Sequence, residues 1–394
     1  MTYLSRRRMM ALSAAMLGAG CSGGSNDASP STPAPTPPPP APPPPPPAPP
    51  AGLTPLKEAA SARNMRFGTA ISTGGTLDDA GYRDLVRPHC NVLVAENEMK
   101  WQALRPSEDR FDFTDADALV NFARNEEIDF RFHTLLWEVE ERYPAWLRTY
   151  DFGAAPAAEA ERLLTGHIAR VASTYRDNMT GWDVVNEAVD PATGGYRTSP
   201  FSQAFGGMEA VLDTAFRAAR EALPDAPLVY NDFMSWGSDG THRDGVLRLL
   251  EGLLNRGTPI DALGLQSHLW GGNEAGDFAD EAGWRTFLDE VTGMGLGLVV
   301  TELDVNDRDL PADLAVRDAR IAEVTRRYLD LTMSYEGLRD VVVWGLVHRY
   351  SWLQYFQARA DGLQKRGTPF DDDYEPTLMA EAIAEAFEAT SVRP

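Results

Sequence analysis

Short apolar runs rich in β-branched and aromatic residues alternate along most of this chain with longer stretches in which apolar residues recur every three or four positions. The runs fall at 65–72 (MRFGTAIS), 91–97 (NVLVAEN), 129–137 (DFRFHTLLW), 181–187 (GWDVVNE), 227–233 (PLVYNDF), 262–269 (ALGLQSHL), 297–305 (GLVVTELDV) and 341–346 (VVVWGL), and their length and composition predict buried strands. The stretches near 78–87, 114–126, 157–176, 207–222, 239–256, 281–294, 311–334 and 376–390 carry helical spacing. Eight strand and helix alternations with no second linker predict a single α/β domain, a (β/α)8 TIM barrel. A doubly wound open sheet is the competing arrangement, but no glycine-rich phosphate loop follows the first run. Nearly every run ends in polar or aromatic groups: Glu96 and Asn97, His133 and Trp137, Asn186 and Glu187, Asn231 and Asp232, Gln266 and His268, Glu302 and Asp304, and Trp344. In a barrel these carboxyl ends form one mouth, where an active site belongs.

The N-terminal residues follow neither pattern. Arg6, Arg7 and Arg8 precede an apolar run from Met9 to Ala19 that is too short to span a bilayer and has the length of a signal-peptide core. Residues 1–20 therefore read as an export signal, and the adjacent arginines point to the twin-arginine route. Small residues before Cys21 loosely match a lipoprotein cleavage site, although Leu17 sits one place early. A lipid anchor at Cys21 and cleavage nearby to a soluble exported protein both remain open, so the expected location is periplasmic or cell-surface, or secreted. Fifteen of the residues from Pro30 to Pro50 are proline, which makes 21–52 a linker unable to pack a core and biased toward an extended rod. At about 3.1 Å per residue its proline-rich part would reach roughly 65 Å; a segment recognised by a proline-binding module is the alternative. The catalytic domain is expected over 53–394.

Composition narrows the function. A 43% hydrophobic chain can bury a substantial core. Acidic residues outnumber basic ones by 58 to 36, a formal charge of −22 that becomes −25 when residues 1–20, with three arginines and no acid, are removed. Such a charge disfavours nucleic acid and anionic lipid as partners, and would also repel heavily acidified regions of a polysaccharide. The two cysteines, Cys21 and Cys90, cannot build a disulfide framework or a four-cysteine metal site, and Cys90 reads as core packing.

Glu187 and Glu302 end the fourth and seventh runs, from which two carboxylates can face each other. Breaking a glycosidic bond needs one carboxyl to protonate the leaving oxygen and another to attack the anomeric carbon or activate water. Either glutamate alone could equally be salt-bridged to Lys100 or an arginine. His268 and Asp304 would complete a hydrogen-bond chain that keeps Glu302 ionised, and Asn186 would grip a sugar hydroxyl. Trp137, Trp344 and Trp352 are candidates for stacking on sugar rings, or for plain core filling.

The segments Ala95-Glu96-Asn97-Glu98-Met99-Lys100-Trp101, His133-Thr134-Leu135-Leu136-Trp137, Trp182-Asp183-Val184-Val185-Asn186-Glu187-Ala188, Gln266-Ser267-His268, Thr301-Glu302-Leu303-Asp304-Val305, and Trp344-Gly345 with Ser351-Trp352 together resemble glycoside hydrolase family 10, the β-1,4-xylanases, over about residues 56–390. The resemblance implies an endo-acting, retaining hydrolase of xylan with Glu187 as general acid/base and Glu302 as nucleophile, their carboxyls about 5–5.5 Å apart. It makes Glu96, Asn97, Lys100, His133 and Trp137 binders of the non-reducing-side sugars, puts Gln266 and His268 near the nucleophile, and lines the cleft with Trp344 and Trp352. It implies no metal and no organic cofactor, and leaves the oligomeric state open.

Departures from the family are expected to cluster around the cleft. The family usually has Gly at Phe132, His at Glu138, Gln near Glu140 and Asp at His348, a 137–144 segment two residues shorter, and Tyr-Asn at Phe233-Met234. The longer segment would reshape the glycone side, and Phe233-Met234 would remove polar contacts from the leaving-group side. Glu138 and His348 look like a reciprocal swap, which would make them touch; unrelated drift is the other reading. The competing functions are a β-1,4-glucanase or a hydrolase of decorated or mixed-linkage xylan, a non-catalytic carbohydrate-binding protein, and a metalloenzyme using His133, His268, His348 and Glu138.

Overall fold

The computed structural model describes residues 52–273 and 279–394. The expected export signal, Cys21 and nearly all of the proline-rich linker lie outside the described residues. Nine strands occur among those described: β1 (Arg66–Ile71), β2 (Val92–Ala95), β3 (Asp129–Trp137), β4 (Met179–Asn186), β5 (Leu228–Asp232), β6 (Ala262–Leu265), β7 (His268–Trp270), β8 (Gly297–Asn306) and β9 (Asp340–Val343). All pairings between them are parallel. The ring runs β1, β2, β3, β4, β5, β6, β8, β9 and closes where β9 pairs with β1, leaving β7 as a short extra strand on β8. This is the closed eight-stranded barrel expected from the sequence.

Each predicted helical stretch has a counterpart: Ala80–His89, Thr114–Asn125, Pro156–Tyr175, Met208–Ala222, Thr241–Asn255, Glu281–Gly293, Leu314–Thr332 and Leu378–Ala389. The Pro156–Tyr175 helix buries Ala160, Leu163, Leu164, His167, Ile168, Val171, Ala172 and Tyr175, a stripe at three- and four-residue spacing that packs on the barrel's outside. Its proline occupies the first turn, where no intrahelical donor is lost. Asp79, Asp280, Asp313 and Thr377 accept from first-turn N–H groups of four of the others, which fixes where those helices begin.

Strand alternation divides the buried residues into two layers. Phe67, Leu93, Ala95, Phe130, Val341 and Val343 join the large outer cluster under the helices, whereas Ala70, Val92, Val94, Val342 and Trp344 form a small cluster of their own. Phe132 belongs to the outer layer, its ring stacked on Trp182 at 4.6 Å and near Tyr175. It therefore faces away from the mouth, so this departure does not reshape the cleft as expected. At Gly68 of β1 a Cβ would lie 1.7 Å from the Val92 carbonyl oxygen, so only glycine permits that approach.

Charges occupy the interior as a ladder. Arg66 grips Asp340 at 2.7 Å, Arg131 lies 3.7 Å from Asp340 and 2.7 Å from Asp183, and Asp183 holds His133 Nδ1 at 3.0 Å. Buried charges persist only when paired, and here the pairing ends on a residue of the mouth. One expected strand is broken. The run 262–269 splits at Gln266 and Ser267, the latter at φ 62°, and the chain re-enters as β7 with His268 opposite Asp304.

Candidate active site

The carboxyl ends of the strands gather the expected side chains. Glu187 follows β4 directly and sits in the left-handed region at φ 57°, a conformation that costs a non-glycine residue of order 1–3 kcal/mol and persists when its surroundings over-determine it. They do so here. The Glu187 N–H donates to the Asn231 carbonyl at 2.9 Å, and the Ala188 N–H donates to the Tyr230 hydroxyl at 3.0 Å. That hydroxyl in turn donates to Asp232 Oδ2 at 2.5 Å.

A hydrogen-bond chain connects the two glutamates. Asn231 Nδ2 donates to Glu302 Oε1 at 2.7 Å and to Asn186 Oδ1 at 2.9 Å, while Gln266 Nε2 donates to Asn186 Oδ1 at 3.2 Å and to Glu187 Oε1 at 3.0 Å. The Asn231 NH2 must face the Glu302 carboxylate, which sets the Asn186 carbonyl toward it. Thr301 Oγ1 donates to Asn231 Oδ1 at 2.7 Å and locks that amide from behind. Gly264 on β6 makes room for it, since a Cβ there would lie 2.3 Å from Asn231 Oδ1.

On the other side of Glu302, His268 Nε2 is 3.4 Å from Oε2, and its Nδ1 is 3.0 Å from Asp304 Oδ1. Trp352 Nε1 donates to Asp304 Oδ2 at 2.6 Å, with its ring 4.9 Å from that of His268. Burial alone would lower the His268 pKa, but Asp304 and Glu302 push it up to about 10, so the imidazole is a cation at neutral pH. Burial would raise Glu302; its hydrogen bond to His268 and the charges of His133, His268 and Lys100 outweigh that and hold it below the usual carboxylate range. Glu187 is shifted the opposite way. Burial and then the charge of Asp232 raise it, the Gln266 and Trp137 donors oppose the rise only in part, and Glu302 adds to it. The two carboxyls are thus pushed apart, Glu187 toward holding its proton and Glu302 toward losing it, the direction of division that acid/base and nucleophilic roles require.

The remaining predicted residues surround this pair. Glu96 and half-exposed Trp137 follow or end β2 and β3, and Asn97 accepts from Lys100 Nζ at 3.2 Å. Lys100 is buried with its ammonium 4.6 Å from the Trp137 ring centroid and 5.7 Å from that of Trp344; burial lowers its pKa against the charges of Glu302, Glu96 and Glu187. The His133 ring meets Trp344 at 5.4 Å, nearly edge-on.

The expected contact between Glu138 and His348 is overturned. His348 Nδ1 lies 2.7 Å from Thr368 Oγ1, beyond β9, whereas Glu138 follows β3 and donates its backbone N–H to the Asn186 carbonyl at 2.9 Å. No hydrogen bond or ion pair joins the two, and the strand order separates their positions by β1 and β2. The Glu138 side chain is fully buried without a hydrogen-bond partner for either oxygen. Burial pushes its pKa up to about 7, only partly offset by the Ser199 and Tyr143 hydroxyls beside it. The four groups weighed as metal ligands are likewise dispersed, each with its own partners or none. Among the described residues no cluster of three or more His, Cys, Asp or Glu is arranged to hold a metal ion.

Sequence reasoning gave no role to Asn231, Asp232, Thr301, Gly264, Asp183 or Arg131. The last two carried a signal: a charge set between apolar strand residues, as in Phe130-Arg131-Phe132 and Trp182-Asp183-Val184, marks an inward position that must find a partner.

With this geometry in place, comparison with known proteins is informative. The Glycosyl hydrolase family 10 model matches residues 55–386. The chain is 33% identical to the thermostable celloxylanase of Thermoclostridium stercorarium, over 74% of this chain and 78% of that one, and 32% identical to endo-1,4-beta-xylanase B of Paenibacillus barcinonensis over 82% and 95%. Among solved structures, native xylanase 10B from Thermotoga maritima superposes with a TM-score of 0.76 at 31% identity, covering 84% of this chain and 98% of that one.

Proposed function

The chain belongs to glycosyl hydrolase family 10, and from that premise we propose that Glu187 and Glu302 carry the acid/base and nucleophilic halves of a retaining hydrolysis. The protein is an endo-1,4-β-xylanase, acting on internal β-1,4-xylosidic bonds of xylan-type polysaccharide. The opposite pKa shifts of two glutamates joined through Asn231, Asn186 and Gln266 carry the assignment of roles.

In the first step ionised Glu302 attacks the anomeric carbon while Glu187 gives its proton to the departing glycosidic oxygen. The glycosyl ester that forms removes the charge on Glu302, one of the charges that raise Glu187. Glu187 is then the stronger acid, ready as a carboxylate to take a proton from the water that cleaves the ester. His268 and Asn231 hold the two oxygens of Glu302 throughout. Glu96, Asn97, Lys100, His133 and Trp137 bind the sugars on the non-reducing side, Gln266 positions Glu187, and Trp344 and Trp352 wall the cleft. The arginine-led apolar segment before Cys21 and the proline-rich stretch after it support export on a tether, with a lipid at Cys21 as the finer form of that reading.

Product analysis on unbranched xylan and on a soluble β-1,4-glucan, beside Glu302→Ala, tests the assignment. Short xylo-oligosaccharides with retained anomeric configuration from xylan alone, absent in the variant, are expected. Inverted products, or undiminished activity of Glu302→Ala, would refute the roles, and glucan cleavage would refute xylan selectivity.

A further inference from the structure

Arg142 closes the one-turn helix Glu140–Arg142 that follows β3. Its guanidinium carbon lies 4.6 Å from the centroid of the Trp137 ring, the same ring whose centroid is 4.6 Å from Lys100 Nζ. Two cations thus converge on one indole at the edge of the active-site mouth, and the charge of Arg142 is among the influences that, after burial, lower the Lys100 pKa. Lys100 has its own compensation in Asn97 and in the charges of Glu302 and Glu96. Arg142 has none. Its backbone N–H donates to the Val139 carbonyl at 2.8 Å, but among the described residues its guanidinium makes no hydrogen bond and no ion pair, although Glu140 and Glu141 directly precede it and the chain holds 58 acidic residues. Half-buried arginines elsewhere in the barrel hold a carboxylate: Arg66 grips Asp340, Arg256 grips Asp213 and Arg366 grips Asp318.

We propose that Arg142 is a specificity determinant that receives the carboxylate of a uronic acid substituent on a xylan chain bound on the non-reducing side of the cleft. This rests on the xylanase reading above. A guanidinium presents a planar fork of donors that a carboxylate matches with two parallel hydrogen bonds, and the Trp137 face orients that fork without consuming any of its N–H groups. A neutral sugar hydroxyl would leave the charge uncompensated beside Lys100; an anionic substituent compensates it. The net charge of −22 repels a heavily acidified polysaccharide, whereas a single carboxylate meets chiefly the charges within about 8 Å, those beyond being largely screened at physiological salt. The half-buried position of Arg142 leaves the guanidinium within reach of a substituent at the rim.

The test compares xylo-oligosaccharides of one length, with and without a single glucuronosyl branch, on the wild-type protein, Arg142→Met and Arg142→Lys. Arg142→Met keeps an apolar stem against Trp137 and removes the charge. Its kcat/KM on the branched substrate should fall about tenfold, mainly through KM, while the unbranched substrate changes less than twofold. Arg142→Lys should recover part of the loss, and raising the salt concentration should shrink the wild-type preference. Equal losses on both substrates would reduce Arg142 to packing on Trp137 and overturn the proposal, as would no change on either. If the wild-type protein cleaved neither substrate, the xylanase reading itself would fall, and this inference with it.

Discussion

Half-buried Glu187, just past β4, and buried Glu302, within β8, face one mouth, yet the structure treats them oppositely. Glu302 meets a cation, the His268 imidazolium, and a fixed amide donor from Asn231. Glu187 meets the carboxylate of Asp232 as its largest charged influence and has only neutral donors in return. Glu138, just past β3 and with no charged neighbour among the causes of its shift, shows burial opposed only by the neutral hydroxyls of Ser199 and Tyr143, a rise to about 7. Burial therefore pushes all three upward, and the sign of the nearest charge decides which of them becomes the nucleophile.

Removing either end should break the comparison most severely. Glu302→Ala is expected to lose at least about 10⁴-fold in kcat on xylan, the scale of a missing nucleophile. Glu187→Gln should lose about 10²–10⁴-fold, and far less on an aryl xyloside whose leaving group needs no proton. Steady-state kinetics on both substrates would show the split. Equal losses of Glu187→Gln on the two would contradict the acid role. Next in size is Gly264→Ala, whose methyl group must displace Asn231; with Glu302 and Asn186 losing their shared donor, kcat should fall about 10²-fold while circular dichroism stays native.

The charges can then be exchanged one at a time. Activity requires Glu302 ionised and Glu187 protonated, so the acid limb of the pH profile belongs to the first and the alkaline limb to the second. His268→Asn removes the cation that lowers Glu302, which should move the acid limb to higher pH. Asp232→Asn removes the charge that raises Glu187, which should move the alkaline limb to lower pH. Opposite or absent movements in kcat/KM profiles would show that other groups set the limbs. The smallest effect concerns stability at Glu138. Its folded pKa of about 7 lies above the unfolded value of 4.5, so the folded state binds the extra proton and is favoured at low pH. That stability is lost as pH rises from about 4.5 to about 7, by roughly 3 kcal/mol. Urea unfolding should find Glu138→Gln close to wild type at pH 5 and more stable than wild type at pH 8.

Much of this was legible in the sequence because a strand buried on both faces is written as a local apolar run, and barrel helices carry their own periodicity and caps. Glu187, Glu302, His268 and Asp304 were legible for the same reason, as polar groups at the ends of such runs. Partner choice was not. Whether Asn231 reaches Glu302, or Arg131 reaches Asp183, depends on interior directions fixed only when the ring closes, and the break at Ser267 depends on a left-handed residue that its sequence does not require. The supposed Glu138 and His348 pair failed because a chemically reciprocal substitution says nothing about separation around a barrel, and Phe132 failed because one residue of register turns a side chain from cleft to helix layer.

The most direct test is a carbon-13 titration of the glutamate side-chain carboxyls in the free protein, with Glu187→Gln and Glu302→Gln used to assign the two resonances. The account predicts that Glu302 titrates below an ordinary glutamate and Glu187 above one, and that Glu187 moves downward when Glu302 is made neutral. Glu187 losing its proton before Glu302, or both titrating in the ordinary range, would contradict the claim that neighbouring charge divides the two roles.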